Sequence, residues 1–156
     1  MTADRVTAHD DIRRLISAAV TAGASAIVGY VPEMRYDRVR LPGQGVPDAS
    51  KHWLRIGCSD IQSPQTAFVG ETPGPTAKQH TTTGVTIVEL YAPMSVVNGA
   101  RQQDLLAQLV QSALRNAETV NGVWFRNPTI KNVADDEKSY RLNVTVEHEY
   151  DTLAAT

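Results

Sequence analysis

The 156-residue chain has one cysteine, Cys58, so it holds no internal disulfide, and a zinc knuckle would need more sulfur than it has. It lacks an apolar run long enough to cross a bilayer. It also lacks an excess of either charge. The formal net charge is −2, which argues against a basic face gripping phosphates or a polybasic membrane patch. Aromatics are scarce at 6%. The opening MTADRVTAHDD carries acids early and has no apolar h-region, so it does not read as a signal peptide. The expectation is a protein made in a reducing cytoplasm, with Cys58 a small half-buried hydrophobe.

What is present is ordinary for a folded chain: 42% hydrophobic and 21% charged residues. A domain of this length buries roughly 68–70% of its unfolded surface without staples. One domain is expected over 1–156.

Periodicity places the elements. Residues 7–23 read as a helix, with Ile12, Leu15, Ile16, Ala19 and Val20 as its stripe, Thr7 and Asp10 as a capping box and Gly23 as the stop. AIVGYV, 26–31, reads as a short strand. Residues 32–50 carry three prolines and two glycines and read as a loop, with a short strand at Tyr36–Leu41. KHWLRIGCS, 51–59, reads as a strand with Trp53 or Leu54 inward. Residues 60–82 are polar and proline-rich, a second long loop of the kind that is usually functional or disordered. GVTIVELYAP, 84–93, is apolar in both phases, Val85 and Ile87 on one and Val88 and Leu90 on the other, and predicts a strand covered on both faces. Residues 98–120 predict a second amphipathic helix, capped by Asn98 and ended by Asn121-Gly122, with Leu105, Leu106, Leu109, Val110, Ala113 and Leu114 as its stripe. VWFRNPTIKNV, 123–133, reads as an edge strand broken by Pro128. SYRLNVTVEHEYDT, 139–152, alternates apolar and polar and closes the domain. The fold class expected is α+β: a mostly antiparallel sheet with two amphipathic helices on one face.

A search for chemistry yields no constellation. LPGQGVPD and GETPGPTAK lack phosphate-loop spacing, and their prolines remove amide donors. His9, His52, His80 and His148 form no i, i+4 pair and no HExxH. His148 falls in the apolar phase beside Glu147 and Glu149, but strand neighbours point to opposite faces, so the three cannot share a ligand sphere. His148 is expected at the rim of the core, bonded to backbone or water. There is no GxSxG elbow, and six residues of strand separate His52 from Cys58 by about 20 Å. Asp10-Asp11 and Asp135-Asp136 read as solvated cap and turn positions. Catalytic, cofactor-binding and metal-binding residues are each expected to be none, and the chain is not expected to be an enzyme.

Three features point instead to assembly. Two long loops carry isolated apolars such as Phe68 and Val69. The strand at 84–93 is apolar on both sides, yet two helices can cover only one face. Trp124 and Phe125 sit beside Arg126 in a strand broken by proline. A subunit that buries its second face on neighbours accounts for all three. The expected contact residues are Phe68, Val69, Tyr91, Met94, Trp124, Phe125 and Arg126.

The ordered pattern HWLRIGCS, GVTIVELYAP, ARQQDLLAQLVQSAL, GVWFRNPTIKNV and SYRLNVTVEHEYD, over residues 52–151, resembles the tail terminator (tail-completion, or minor tail) proteins of long-tailed bacteriophages. The resemblance implies a virion protein that forms a ring, usually a hexamer. Its partners would be other copies of itself, the tail tube protein and a head-completion or neck protein. DNA would pass through the ring without specific binding, no membrane or cofactor would be involved, and Glu147 and Glu149 would face the channel and repel phosphates. A neck or head-closure protein is the nearest alternative, and a small α+β enzyme or ligand-binding domain the alternative from another class.

Overall fold

A computed structural model describes residues 3–37, 39, 42–69, 77–115 and 117–155, with side chains at 65–69, 77, 78, 154 and 155 outside the description. The elements are α1 (Arg5–Gly23), α2 (Ser25–Val28), β1 (Glu33–Tyr36), β2 (Trp53–Gln62), β3 (Gln65–Val69), β4 (Ala77–Pro93), α3 (Gly99–Leu114), β5 (Trp124–Val133) and β6 (Ser139–Ala155). One mixed sheet runs in the order β1-β2-β4-β6-β5, with β3 pairing β4 beyond the end of β2. Only the β1–β2 pair is parallel. The α+β class with two long helices on one face is as the periodicity predicts.

The sheet is organised by one ladder. The 17 residues of β4 pair with the 17 of β6 without a shift, from Ala77 opposite Ala155 to Pro93 opposite Ser139. Every second residue of these strands faces the helices. Val88 and Leu90 of β4, Leu142, Val144 and Val146 of β6, and Leu54 and Ile56 of β2 are buried against Ile12, Ile16 and Val20 of α1 and Leu106, Val110 and Leu114 of α3. Full burial of each such side chain stabilises by roughly 1.5–3 kcal/mol, which is what holds the helices down. Gly23 lets the helices approach, since a Cβ there would lie 2.8 Å from Leu109 Cδ1.

Several boundaries differ from expectation for local reasons. Asp4, not Thr7, caps α1: its carboxylate accepts the Thr7 amide at 2.7 Å. α1 ends at Gly23 as expected, but Ala24 caps it in a right-handed conformation, residues 25–28 form a further helical turn rather than a strand, and Gly29 at φ 85° ends that turn. Ile27 and Val28, the two adjacent branched residues of AIVGYV, are too short a run to override that turn. A strand lies at Glu33–Tyr36, and of the stretch 36–41 where one was expected, residues 38, 40 and 41 lie outside the described residues. The stretch 60–82 is mostly strand: β2 runs to Gln62, β3 follows, and β4 begins at Ala77, while residues 70–76 lie outside the described residues. A run of threonines, Thr81–Thr83, favours strand without apolar alternation, which hides it from a hydrophobicity reading. α3 ends at Leu114, and Asn121-Gly122 instead forms the turn before β5, with Gly122 at φ 85°. β5 is the expected edge strand, its register shifted between Arg126 and Thr129 around Pro128, with Asn127 at φ 54°.

Candidate functional site

A half-buried carboxylate, Asp60, gathers the densest polar cluster among the described residues. Read in alternate positions, β2 runs Leu54, Ile56, Cys58, Asp60, so the acid stands in the helix-facing phase. The β2–β4 register shifts between Asp60 and Gln62, a bulge at the point where Asp60 must turn under α1. Opposite it stands Gly84, where a Cβ would collide with the Ser59 carbonyl and the His148 ring. The glycine therefore makes the space that the imidazole occupies. His148 and Tyr150 arrive from the same phase of β6, and Arg5 and His9 from one face of α1, four residues apart.

Each Asp60 oxygen takes two partners. Oδ1 accepts from His148 Nε2 at 3.0 Å and His9 Nε2 at 3.1 Å. Oδ2 accepts the Tyr150 hydroxyl at 3.0 Å and pairs with Arg5 Nε at 3.1 Å. The second nitrogen of His148, Nδ1, lies 2.8 Å from Thr86 Oγ1, which is also 3.8 Å from Cys58 Sγ. Burial pulls the Asp60 pKa upward, but the bonds from His148, His9 and Tyr150 outweigh it and hold the carboxyl below its usual range. Burial pushes the His148 pKa down, opposed by Asp60. Tyr150 is pushed well up, by burial first and then by its bond to Asp60, and the Cys58 thiol is raised by burial. Those directions give an ionised acid, neutral imidazole and phenol, and an unreactive thiol. The cluster can fix the start of α1 to β2 and β6; among the described residues it presents no activated nucleophile. A cleft of about 280 Å³ opens beside it, lined by Arg5, His9, Arg13, Asp37 and Cys58 among others.

The second face of the sheet is different. Among the described residues no helix lies on it. Trp53 stacks on Tyr91 with centroids 3.9 Å apart, and the Arg141 guanidinium lies 5.4 Å from the Tyr91 ring. Glu89 pairs with Arg55 at 2.5 Å and Arg141 at 3.6 Å. Ile87 remains 38% exposed between these groups, and Leu153 44% exposed near the far end of β6.

The expected contact residues lie on several elements. Phe68 and Val69 lie on β3, but their side chains are outside the described residues. Met94 is exposed after β4, Trp124 half-buried and Arg126 exposed, paired with Glu149 at 3.1 Å. Tyr91 is sealed by the Trp53 stack. Phe125 faces the helices, 5% exposed within the core, so it is spent inside the protomer. Glu147 is exposed and Glu149 half-buried, both on the face away from the helices and away from His148, as strand alternation requires.

Two expectations about acids and histidines are corrected. His148 is not a rim histidine bonded to backbone or water; it is 1% exposed and held by Asp60 and Thr86. Asp11 is not a solvated cap acid; it is 5% exposed and accepts from the Asn121 side-chain amide at 3.0 Å, tying α1 to the turn before β5. Asp135 and Asp136 are exposed turn acids as expected. Sequence reasoning weighed His9 only for a local histidine pair and missed Asp60 altogether. The visible signal was Asp60 in the apolar phase of its strand, the natural mate for a histidine similarly misplaced in another.

No family model matches the sequence, and no curated protein matches it. The fold does have solved counterparts. One, a protein whose name states no function, superposes with a TM-score of 0.57 at 13% identity, over 90% of this chain and 94% of that one. At that identity the likeness is one of fold alone. Another, a chain of the virion of a native gene transfer agent particle, gives a TM-score of 0.49 at 17% identity over 92% and 94% of the two chains, too loose a likeness to carry an argument.

Proposed function

We propose that this chain is a structural protein of a phage-like virion, a tail terminator whose copies form a ring on the end of the tail tube. The observation that carries this reading is the two-faced sheet. One face is roofed by α1 and α3, while the other keeps Ile87 38% exposed on the central strand with no covering element among the described residues. The ordered sequence pattern over 52–151 supports the same reading. So does the reach of the β4–β6 ladder beyond the helices, which gives a subunit an arm to lay on a neighbour.

The energetics favour assembly on a template. Burying a whole isoleucine stabilises by about 1.5–3 kcal/mol, and the exposed apolars here are few and only partly exposed. A pairwise contact of that size is weak. Closure of a ring, or docking on a tube end that presents all sites at once, multiplies it. In such a ring Glu147 would face the bore and discourage DNA binding, while Glu149 is half neutralised by Arg126.

The test is a null mutation in the parent particle, examined by negative-stain microscopy. A terminator is expected to leave overlong tails. Leaky heads with tails of normal length would assign the head-closure role instead. A protein that stays monomeric at every concentration and forms no ring on isolated tube ends would favour a small enzyme or ligand-binding domain.

A further inference from the structure

We propose that His9, Asp60 and His148 form a binding site for one divalent transition-metal cation of the zinc class. One ligand atom each from His9, Asp60 and His148 lies within 4.8 Å of the others. The carboxylate oxygen is 3.0 and 3.1 Å from the two nitrogens. Ligands around a tetrahedral zinc, at 2.0–2.2 Å from the metal, stand about 3.3 Å apart. The oxygen-to-nitrogen spacings are therefore already close to those of a loaded site, and a small rotation of His9 at the start of α1 brings the two imidazoles together.

The surroundings complete the case. A metal-binding imidazole nitrogen must give up its hydrogen, and the ring then carries its proton on the other nitrogen. At His148 that nitrogen, Nδ1, faces Thr86 Oγ1 at 2.8 Å, which can accept the bond and turn its own hydrogen toward Cys58 Sγ at 3.8 Å. Thr86 thus serves either tautomer and fixes the ring plane, as an outer-shell partner does. The positive group to be displaced is Arg5, whose side chain is 63% exposed and can swing into solvent. The cleft of about 280 Å³ is lined by Arg5 and His9, on the side from which a water would enter as fourth ligand. The cation would pin α1 to the bulge of β2 and to β6, at the base of the arm. This inference is independent of the ring.

Titration of the full chain with Co2+ is expected to give an intense tetrahedral-type visible band that saturates at one equivalent and that Zn2+ displaces. His9→Gln and Asp60→Asn are expected to abolish it, His80→Gln to leave it unchanged, and Thr86→Val to weaken Co2+ binding by about 10–100-fold. Saturating Zn2+ should raise the Tm of the parent protein and leave that of His9→Gln where it was. Absence of the band, or a band that survives His9→Gln, overturns the proposal. Should Asp60→Asn fail to fold, His9→Gln decides alone, because it leaves Asp60 three of its four partners.

Discussion

Strand β4 passes through two environments. From Thr86 to Ala92 it lies under the helices, with Val88 and Leu90 buried to 2% exposure or less. From Ala77 to Thr81 it belongs to a three-stranded arm of β3, β4 and β6, where no described side chain of β4 is buried. The ladder is the same along its whole length; only the cover differs. The body is therefore stabilised by burial, and the arm by backbone pairing, β-branched threonines and a few side-chain bonds such as Thr81 Oγ1 to Asp151 at 2.7 Å. A single sheet can thus run past its own core, and the part that does so is the part free to meet another molecule.

The contrast should be sharpest in the body. Leu106→Ala removes a 1%-exposed side chain between α3 and the sheet and is expected to cost about 3 kcal/mol, measured by urea unfolding. A loss below about 1 kcal/mol would mean that the helices are held by something other than packing. At the junction, Gly84→Ala should cost about 2 kcal/mol, because its methyl group meets the Ser59 backbone and the His148 ring, neither of which has room to retreat.

A pH dependence belongs to the body as well. His52 is 3% exposed, between the Tyr30 hydroxyl at 3.1 Å and the Gly99 carbonyl at 3.0 Å. Burial holds its pKa below the ordinary value, partly offset by the bond to Gly99. The unfolded chain then takes up the proton more readily than the folded one. Stability from this group is present above about pH 6.5 and is lost as pH falls from there toward the depressed folded value. Tm measured against pH should fall less steeply over that window in His52→Gln than in the parent. In the arm, Thr81→Ala leaves the Asp151 carboxylate half-exposed and able to find water, so a loss of about 0.5–1 kcal/mol is expected.

The body was largely legible in the sequence because burial writes a period. Ile12, Ile16 and Val20, or Leu142, Val144 and Val146, announce a helix stripe and a strand face directly. The arm was not, because KQHTTT has no apolar period to read; its strand is dictated by the partner strand across the ladder. The end of α1 at Gly23 was legible, but the glycine's role there was not: Gly23 serves close packing against Leu109, a tertiary demand, and the left-handed glycine is Gly29 after α2. The Asp60 cluster failed for another reason. Its members are separated by 51 and 88 residues along the chain, and no local spacing rule relates them. Only the phase of Asp60 and His148 carried a trace of it.

The smallest stability effect tests the largest claim. Ile87 lies on the open face of β4, 38% exposed, with Glu89 and Val85 as its neighbours in phase. Ile87→Ser removes little that the isolated protomer uses, so unfolding free energy should change by about 0.5 kcal/mol or less. If the open face is where copies meet, the same substitution should abolish rings, whether formed alone or on tube ends, as seen by light scattering and negative stain. Rings that persist in Ile87→Ser would move the interface to the arm. A loss of stability comparable to that of Leu106→Ala would show that the second face is already a core, and the distinction between the two faces would fall with it.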